Sequence, residues 1–316
     1  MRAATIHRYG DASVLEVEDL PTPEPRGREL LVAVRYAGVN PVDWKMREGR
    51  NRLVLGPRFP KVLGHDFAGE VIAVGPRAKR FRVGDRVFGM NGLSMGAYAT
   101  HLVVSERLVA AVPPSLSLAE AAALPMTSLT ALQALRDVAR LREGQRLLVN
   151  GASGGVGIAA VQLGRVFGAD VTGVCSARNL DFVRSLGAER VIDYGVTSFT
   201  DGPEAYDVIF DCVGNLTFES CRRALAPRGV FVSVVTDGKK LLTASIPNLF
   251  RGQRDAQVFV ALPSGKRLAW IASLAEGGRY RAVVDRGFSL DEVRAAHEYS
   301  ESRRARGKIL LEMPSL

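Results

Sequence analysis

The sequence predicts an α/β protein in which a barrel-like β domain is followed by a doubly wound parallel sheet. In roughly the first 110 residues, short apolar segments such as 29–39 and 67–75 end at glycine or proline, which is typical of closely spaced strands. From residue 145 onward, apolar strands alternate with helical segments, which indicates parallel strands covered by helices on both faces. A glycine-rich turn at 151–157 joins the first of these strands to the first helix.

The β-rich part ends at two prolines. A third predicted strand, GDRVFGM (84–90), precedes them, and Pro113 and Pro114 then stop the β structure. Ser117 and Glu120 have the spacing of a capping box, in which each side chain accepts from the backbone N–H of the other residue. The sequence therefore predicts that a helix begins directly after Ser117.

The later part alternates between strands and helices. Strands are predicted at 145–150, 170–176, 190–194, 206–214 and 229–235, and helices at 154–168, 179–187 and 216–225. The last fifty or so residues add helices at 265–278 and 289–302 and strands at 281–288 and 307–313. This tail is not assigned to the parallel sheet by the pattern.

Composition limits the possible location and partners. A chain of 316 residues can hold two domains, and three cysteines suit a reducing, cytoplasmic environment without a disulfide framework. No apolar run approaches the roughly 20 residues that span a bilayer, so we expect no membrane partner. The net charge of +9 raises nucleic acid as a partner, but no aromatic residues interleave with the basic clusters at 77–82 and 303–308. We therefore expect solvated arginines rather than a nucleic-acid site.

The glycine-rich turn predicts a dinucleotide site. A strand that ends at Asn150 is followed by Gly151, Gly154, Gly155 and Gly157 and then by an apolar-striped helix. Glycines let backbone N–H groups approach a pyrophosphate, and the positive end of the helix dipole favours its charge. The spacing differs from G-x-G-x-x-G, so the strand–turn–helix context carries the prediction.

The end of the second strand predicts which dinucleotide binds. An NAD site would place an acidic residue there to accept from the ribose 2′-hydroxyl, but no carboxylate lies between Asp170 and Asp181. Ser176, Arg178 and Asn179 occupy this position instead. The planar guanidinium of arginine suits a 2′-phosphate, so the sequence predicts NADPH as cofactor.

Taken together, five motifs resemble the medium-chain dehydrogenase/reductase superfamily, and most closely its zinc-independent quinone oxidoreductase (zeta-crystallin-like) branch. They are GVNPVDWK (38–45), GHDFAGEVIAVG (64–75), GDRVFG (84–89), GASGGVG (151–157) and ARGKILL (305–311), in the order typical of that superfamily. The resemblance covers essentially the whole chain. It implies a GroES-like β-barrel catalytic domain (1–115, completed by 263–316) and a doubly wound Rossmann domain with a parallel sheet (116–262). It also implies a homodimer formed through the strand at 255–262.

The resemblance also lets the zinc ligands of the alcohol dehydrogenases be checked one by one. Asn40 stands where the first cysteine would be, His65 matches the histidine, and Met126 lies near the position of the last cysteine. A catalytic zinc site needs three protein ligands, so we expect no metal. His65 is interpreted as a structural histidine.

The resemblance implies a set of site residues. Asn40, Tyr98 and Lys45 are the catalytic or substrate-side candidates, and the active site is expected in the cleft between the domains. The cofactor candidates are Thr130 near the nicotinamide; Ser153, Gly154, Gly155 and Val156 at the pyrophosphate; Ser176, Arg178, Asn179 and Tyr194 at the adenosine ribose; and Val213, Thr236, Phe259, Val260 and Lys308 elsewhere along the cofactor.

The implied activity is hydride delivery from NADPH to quinones or α,β-unsaturated carbonyls, acceptors that need no Lewis acid. An enoyl-thioester reductase of a fatty-acid or polyketide type is an alternative, which would use a tyrosine proton donor such as Tyr36 or Tyr98. A non-catalytic NADPH sensor or RNA-binding protein is a third possibility.

Overall fold

The computed structural model describes residues 1–50, 52, 56–200, 205–234, 252–258 and 261–314 and divides the chain into two compact units. The first unit comprises Met1–Leu129 and Leu262–Leu316, and the second comprises Thr130–Ala261. The predicted boundary followed residue 115, whereas the structure keeps 116–129 with the first unit. The reason is that the helix Leu118–Ala122 packs against three strands of that unit, Glu29–Val39, Asp66–Val74 and Arg86–Met90.

The first unit contains two sheets. Strands β1 (Arg2–Ile6), β2 (Leu15–Asp19) and β4 (Lys61–Val62) form an antiparallel sheet in the order β2-β1-β4. The larger sheet has the order β15-β16-β3-β5-β6-β8, and β7 also pairs with β3. Its strands are β3 (Glu29–Val39), β5 (Asp66–Val74), β6 (Arg86–Met90), β7 (His101–Ser105), β8 (Val109–Ala111), β15 (Val284–Ser289) and β16 (Lys308–Glu312).

The C-terminal tail therefore completes the first unit. Strand β16 pairs antiparallel with β3, so that Ile309 lies opposite Val39, and β15 pairs parallel with β16. Buried apolar side chains of β3, β5 and β16 contribute to the core of the unit; examples are Leu30, Val32 and Phe67, which are completely buried. The prediction that the tail need not join the parallel sheet is confirmed by this pairing.

Short helices connect the strands of the first unit. They are α1 (Pro41–Arg47), α2 (Leu118–Ala122), α3 (Pro125–Leu132, which extends beyond Leu129), α7 (Gly265–Glu276) and α8 (Val293–Glu301). The predicted capping box of α2 is present, because Ser117 N donates to Glu120 Oε2 (2.9 Å) and Glu120 N donates to Ser117 Oγ (3.2 Å). At α1, Pro41 stands at the first helical position, which suits its fixed φ.

The second unit is a six-stranded parallel sheet in the order β11-β10-β9-β12-β13-β14. The strands are β9 (Arg146–Asn150), β10 (Asp170–Cys175), β11 (Arg190–Asp193), β12 (Tyr206–Asp211), β13 (Leu225–Val234) and β14 (Arg254–Val258). The helices are α4 (Gly155–Val166), α5 (Leu180–Ser185) and α6 (Phe218–Cys221), and a π-helical segment, Gln133–Val138, follows α3. This strand order is that of the predicted doubly wound fold, in which ligands bind at the carboxyl edge where the order reverses, here between β9 and β12.

None of the helices within the described ranges has the length and apolar character needed to cross a membrane.

Candidate functional site

The glycine-rich turn lies at the carboxyl end of β9, as the sequence predicted. Gly151 has φ +78, a conformation that favours glycine, and Gly154 is the N-cap of α4. A Cβ at Gly157 would lie 2.1 Å from the carbonyl oxygen of Gly151, so the turn can pack against the helix only when this position is glycine. The first backbone N–H groups of α4 have no acceptor within the helix and, with the helix dipole, provide an anion site. Ser153, Gly155 and Val156 belong to this turn and first helical residues.

Asn179 holds the turn against the end of β10. Its side chain is buried, and Nδ2 donates to Ser153 Oγ (3.0 Å) and to Ser176 Oγ (3.3 Å). The structure thus brings together three residues that the sequence predicted for the cofactor site. Their mutual hydrogen bonds make Asn179 a residue that positions the two serines.

Arg178 and Tyr194 lie at the same carboxyl edge and extend into solvent. Arg178 is exposed in the 3₁₀ turn after β10, and the Tyr194 side chain, directly after β11, is 68 % exposed. Neither side chain has a hydrogen-bond or ion-pair partner among the described residues. The carboxylate of Asp193 nearby accepts from the backbone of its own turn at Gly195 (2.9 Å). This edge therefore presents an uncommitted cation, as a 2′-phosphate site requires.

A buried aspartate that sequence reasoning missed fixes the loop after β12. Asp211 accepts from Asn150 Nδ2 (2.9 Å) and from the backbone N–H groups of Val213 (3.0 Å), Gly214 (3.1 Å) and Leu216 (3.0 Å). Val213 is 50 % exposed and packs so closely on the glycine turn that a Cβ at Gly151 would lie 2.5 Å from it. Asn150 and Asp211 are polar residues that end two neighbouring parallel strands, and this pattern in the sequence could have indicated that they are hydrogen-bonded.

The structure shows less about four other cofactor candidates. Thr130 is buried on α3. Thr236, Phe259 and Val260 lie outside the described residues.

In the first unit, Asn40 is enclosed by its own neighbours. Its side chain is 3 % exposed, and Nδ2 donates to Asp66 Oδ2 (3.0 Å) and Gly38 O (3.3 Å). Lys308, predicted to contact the cofactor, is buried here instead: its ammonium donates to Asn40 Oδ1 (2.5 Å) and Asp66 Oδ2 (3.1 Å). Burial raises the pKa of Asp66, and the Lys308 charge opposes that rise.

Strand pairing brings these three side chains together. Asp66 lies opposite Gly38 in the β3–β5 pair, and the β3–β16 pair places Ile309 opposite Val39, so that Lys308 comes next to Asn40. Residues far apart in the chain therefore form one buried cluster.

Asp43 organises a second buried cluster beside the first. Its Oδ1 contacts His65 Nδ1 (2.5 Å), and Oδ2 accepts from Tyr98 Oη (2.9 Å) and from the backbone N–H of Asn40 (2.7 Å). Burial alone would raise the pKa of Asp43, but the charge and hydrogen bond of His65 bring it below the usual value. Tyr98, predicted on the substrate side, is completely buried, and burial raises the pKa of its hydroxyl well above 10.0. The hydroxyl of Tyr98 is thus committed to Asp43.

Lys45, the third predicted substrate-side residue, is half-buried on α1, and its ammonium lies 5.2 Å from the ring centre of Trp44.

The residues at the positions of the zinc ligands do not fit a zinc ion. Asn40 is saturated by Asp66, Gly38 and Lys308, and a buried ammonium 2.5 Å from its oxygen would repel a second cation. His65 directs Nδ1 to Asp43, and the backbone N–H of Met126 donates to Asp66 (3.0 Å). Within the described ranges, no three His, Cys, Asp or Glu residues are arranged to hold a metal ion.

Two family profiles match the chain. The profile described as alcohol dehydrogenase GroES-like domain covers residues 26–114, and that described as zinc-binding dehydrogenase covers 186–311. A chloroplast envelope quinone oxidoreductase homolog of Arabidopsis thaliana is 33 % identical, with 99 % of this chain and 98 % of the relative covered.

The chain belongs to the quinone oxidoreductase family of the medium-chain dehydrogenase/reductase superfamily.

Two further members add detail. The NADPH-dependent alkenal/one oxidoreductase (chloroplastic) of Arabidopsis thaliana is 34 % identical over 98 % of this chain and 79 % of its own length. The Escherichia coli quinone oxidoreductase, whose structure is complexed with NADPH, has a TM-score of 0.85 and 26 % identity, with 99 % of this chain and 100 % of that chain covered. The predicted resemblance and the fold class are confirmed by these quinone oxidoreductases.

Proposed function

We propose that this protein is an NADPH-dependent reductase that delivers hydride to quinones or α,β-unsaturated carbonyl compounds. The observation that carries the proposal is the glycine-rich turn of the second unit, followed at the end of β10 by the exposed guanidinium of Arg178. Relatives named for quinone and alkenal/one reduction support the acceptor class. When bound, NADPH supplies the hydride.

The chain's residues divide the binding of NADPH among them. The N–H groups at the start of α4 would hold the pyrophosphate, and Arg178 with Ser176 and Tyr194 would hold the 2′-phosphate. Asn179 and Asp211 keep these elements in place through the hydrogen bonds described above. The acceptor would bind near Asn40, whose orientation both buried clusters fix.

We propose that the reaction needs no zinc. Asn40 is held by internal hydrogen bonds, Met126 is not a thiolate, and Lys308 already supplies the local positive charge, so His65 alone could not hold a zinc ion. Quinones and enones are electrophilic enough to accept hydride without a metal to polarise them. The hydroxyls of Tyr98 and Tyr36 donate to Asp43 and Glu312, which disfavours the tyrosine donor of the enoyl-thioester alternative.

We also propose a homodimer in the cytoplasm. Strand β14 lies at one end of the six-stranded sheet, and an edge strand is open to pairing with a second copy. The low number of cysteines suits a reducing compartment. Light scattering at micromolar concentration tests the dimer, and a monomeric mass would contradict it.

The test of function is steady-state oxidation of NADPH by the protein after treatment with EDTA. The acceptors are 1,4-benzoquinone, a larger aromatic quinone, a 2-alkenal and a crotonyl thioester, each also with NADH. We expect turnover of a quinone or the alkenal, preference for NADPH, and no effect of chelation. Turnover of the thioester alone would instead support the enoyl-reductase alternative, and NADPH binding without turnover would support a sensor.

A further inference from the structure

His65 and Asp43 form a nearly enclosed acid–base pair that the proposed hydride transfer does not use. Their Nδ1 and Oδ1 atoms are 2.5 Å apart, Asp43 is completely buried, and 4 % of the His65 side chain remains exposed. The second oxygen of Asp43 accepts from Tyr98 Oη (2.9 Å) and Asn40 N (2.7 Å). Both carboxylate oxygens are therefore engaged, and the imidazole ring is held in one orientation.

Other titratable groups around Asp43 do not compete for its proton. Burial raises the pKa of Tyr98 well above 10.0, and burial lowers the pKa of His297, on α8, to about 4. His297 also accepts from buried Arg47 (3.3 Å), which in turn pairs with Glu301 (2.8 Å). The carboxylate therefore faces a neutral tyrosine, a neutral histidine and His65.

The neighbouring cluster is charge-balanced within itself. Asp66 follows His65 in the chain, and its carboxylate is bound to the ammonium of Lys308 (3.1 Å) and to Asn40 (3.0 Å). Lys308 thus neutralises Asp66, and the Asp43 carboxylate is left facing His65.

The second ring nitrogen of His65, Nε2, is not held by a hydrogen bond within the described ranges as Nδ1 is. Nε2 makes no hydrogen bond to any residue in the described part of the chain. A histidine whose Nδ1 is held by a carboxylate and whose Nε2 is unoccupied has the arrangement of a general acid. The hydrogen bond from the Asn40 backbone N–H to Asp43 Oδ2 places this pair beside the residue where we propose that the acceptor binds.

We propose that His65 is the catalytic proton donor for reduction of α,β-unsaturated carbonyls, with Asp43 and Tyr98 as positioning residues. This inference rests on the proposed function. Addition of hydride to the β-carbon breaks the C=C π bond and leaves an enolate. The proton on Nε2 of the His65 imidazolium then passes to the α-carbon, and neutral His65 regains a proton from water. One hydride and one proton are thereby added across the double bond.

The role predicts different behaviour for two acceptor classes. Protonation of an enolate at carbon is slow without a positioned acid, whereas the hydroquinone anion formed from a quinone is protonated on oxygen, which exchanges rapidly with water. His65 should therefore matter far more for reduction of a 2-alkenal than for reduction of 1,4-benzoquinone.

The test is His65→Asn, since the Asn amide can still donate to Asp43 in place of Nδ1 but offers nothing in place of Nε2. With NADPH and trans-2-hexenal we expect kcat to fall about 100-fold and to lose its solvent deuterium isotope effect. With 1,4-benzoquinone the loss of kcat should be at least tenfold smaller. The matched control is His7→Asn, which removes an exposed histidine–carboxylate pair with Glu18 (3.0 Å) and should alter neither reaction.

The outcomes separate this inference from the proposed function. If the native protein turns over neither acceptor, the proposed function fails. If it reduces both, and His65→Asn keeps the native rate and solvent isotope effect with hexenal, the proton-donor role is overturned; an equal loss with both acceptors overturns it as well. Should His65→Asn fail to fold, Asp43→Asn decides: without the carboxylate that holds Nδ1, kcat with hexenal should fall at least tenfold more than kcat with 1,4-benzoquinone, and an equal loss or no loss overturns the inference.

Discussion

Replacement of Arg178 by alanine tests the proposed 2′-phosphate site. The guanidinium is exposed and makes no bond to another described side chain, so its removal should leave the unfolding temperature unchanged. A charge-assisted hydrogen bond contributes about 1.5–3 kcal/mol, and solvent screening at an exposed site favours the lower value. At about 1.4 kcal/mol per tenfold change, one or two such bonds predict a fall of about 10- to 100-fold in kcat/KM for NADPH.

The assay compares NADPH with NADH at saturating 1,4-benzoquinone. NADH lacks the 2′-phosphate, so its kcat/KM should be the same in Arg178→Ala and in the native protein. Arg184→Ala is the matched control, because Arg184 is an exposed arginine of the adjacent helix α5 that pairs with Asp181 (2.7 Å). An equal loss with both cofactors, or the same loss in the control, would refute the assignment of Arg178.

Three further predictions concern the turn and the buried clusters. Gly157→Ala should weaken NADPH binding at least tenfold by fluorescence titration, because its Cβ would lie 2.1 Å from a carbonyl oxygen, whereas Gly154→Ala, with a nearest contact of 3.4 Å, should bind almost normally. Lys308→Met should lower the free energy of unfolding in urea by about 3–5 kcal/mol by leaving Asp66 buried without its cation, and adding Asp66→Asn should restore part of the loss. Burial lowers the pKa of His297 to about 4. As the pH falls, this histidine is therefore protonated near pH 6.5 in the unfolded chain but only near pH 4 in the native protein. The free energy of unfolding should therefore fall by up to about 3 kcal/mol from pH 7 to pH 4, and His297→Gln should not show this part of the pH dependence.

The parts of the fold that could be predicted from the sequence are those that local patterns determine. The strand–turn–helix at 146–166 and the capping box at Ser117 and Glu120 depend on residues a few positions apart, and both are present. The domain boundary was misplaced because the helix Leu118–Ala122 packs on strands that lie 28 or more residues earlier in the chain. That contact leaves no mark in the local pattern.

In the candidate site, too, local patterns were predictable from the sequence and contacts between distant segments were not. Asn179 and Ser153 were predicted from their place beside the turn, and they are hydrogen-bonded to each other. Lys308 and Tyr98 were predicted as cofactor and substrate contacts, but both are buried against aspartates that distant segments supply. The pairing of β16 with β3 decides the position of Lys308, and no local spacing encodes that pairing.

Two buried aspartates bind the two neighbouring basic groups in different ways. Asp66 accepts from Met126 N, Asn40 Nδ2 and Lys308 Nζ, and the Lys308 ammonium also donates to Asn40, so a proton taken from Lys308 would weaken the cluster that orients Asn40. In the proposed role the proton that His65 transfers is on Nε2, so the contact of Nδ1 with Asp43 is not the one that the transfer uses. The proposed proton transfer from His65 would therefore leave in place the hydrogen bonds that fix Asn40 at the proposed acceptor site.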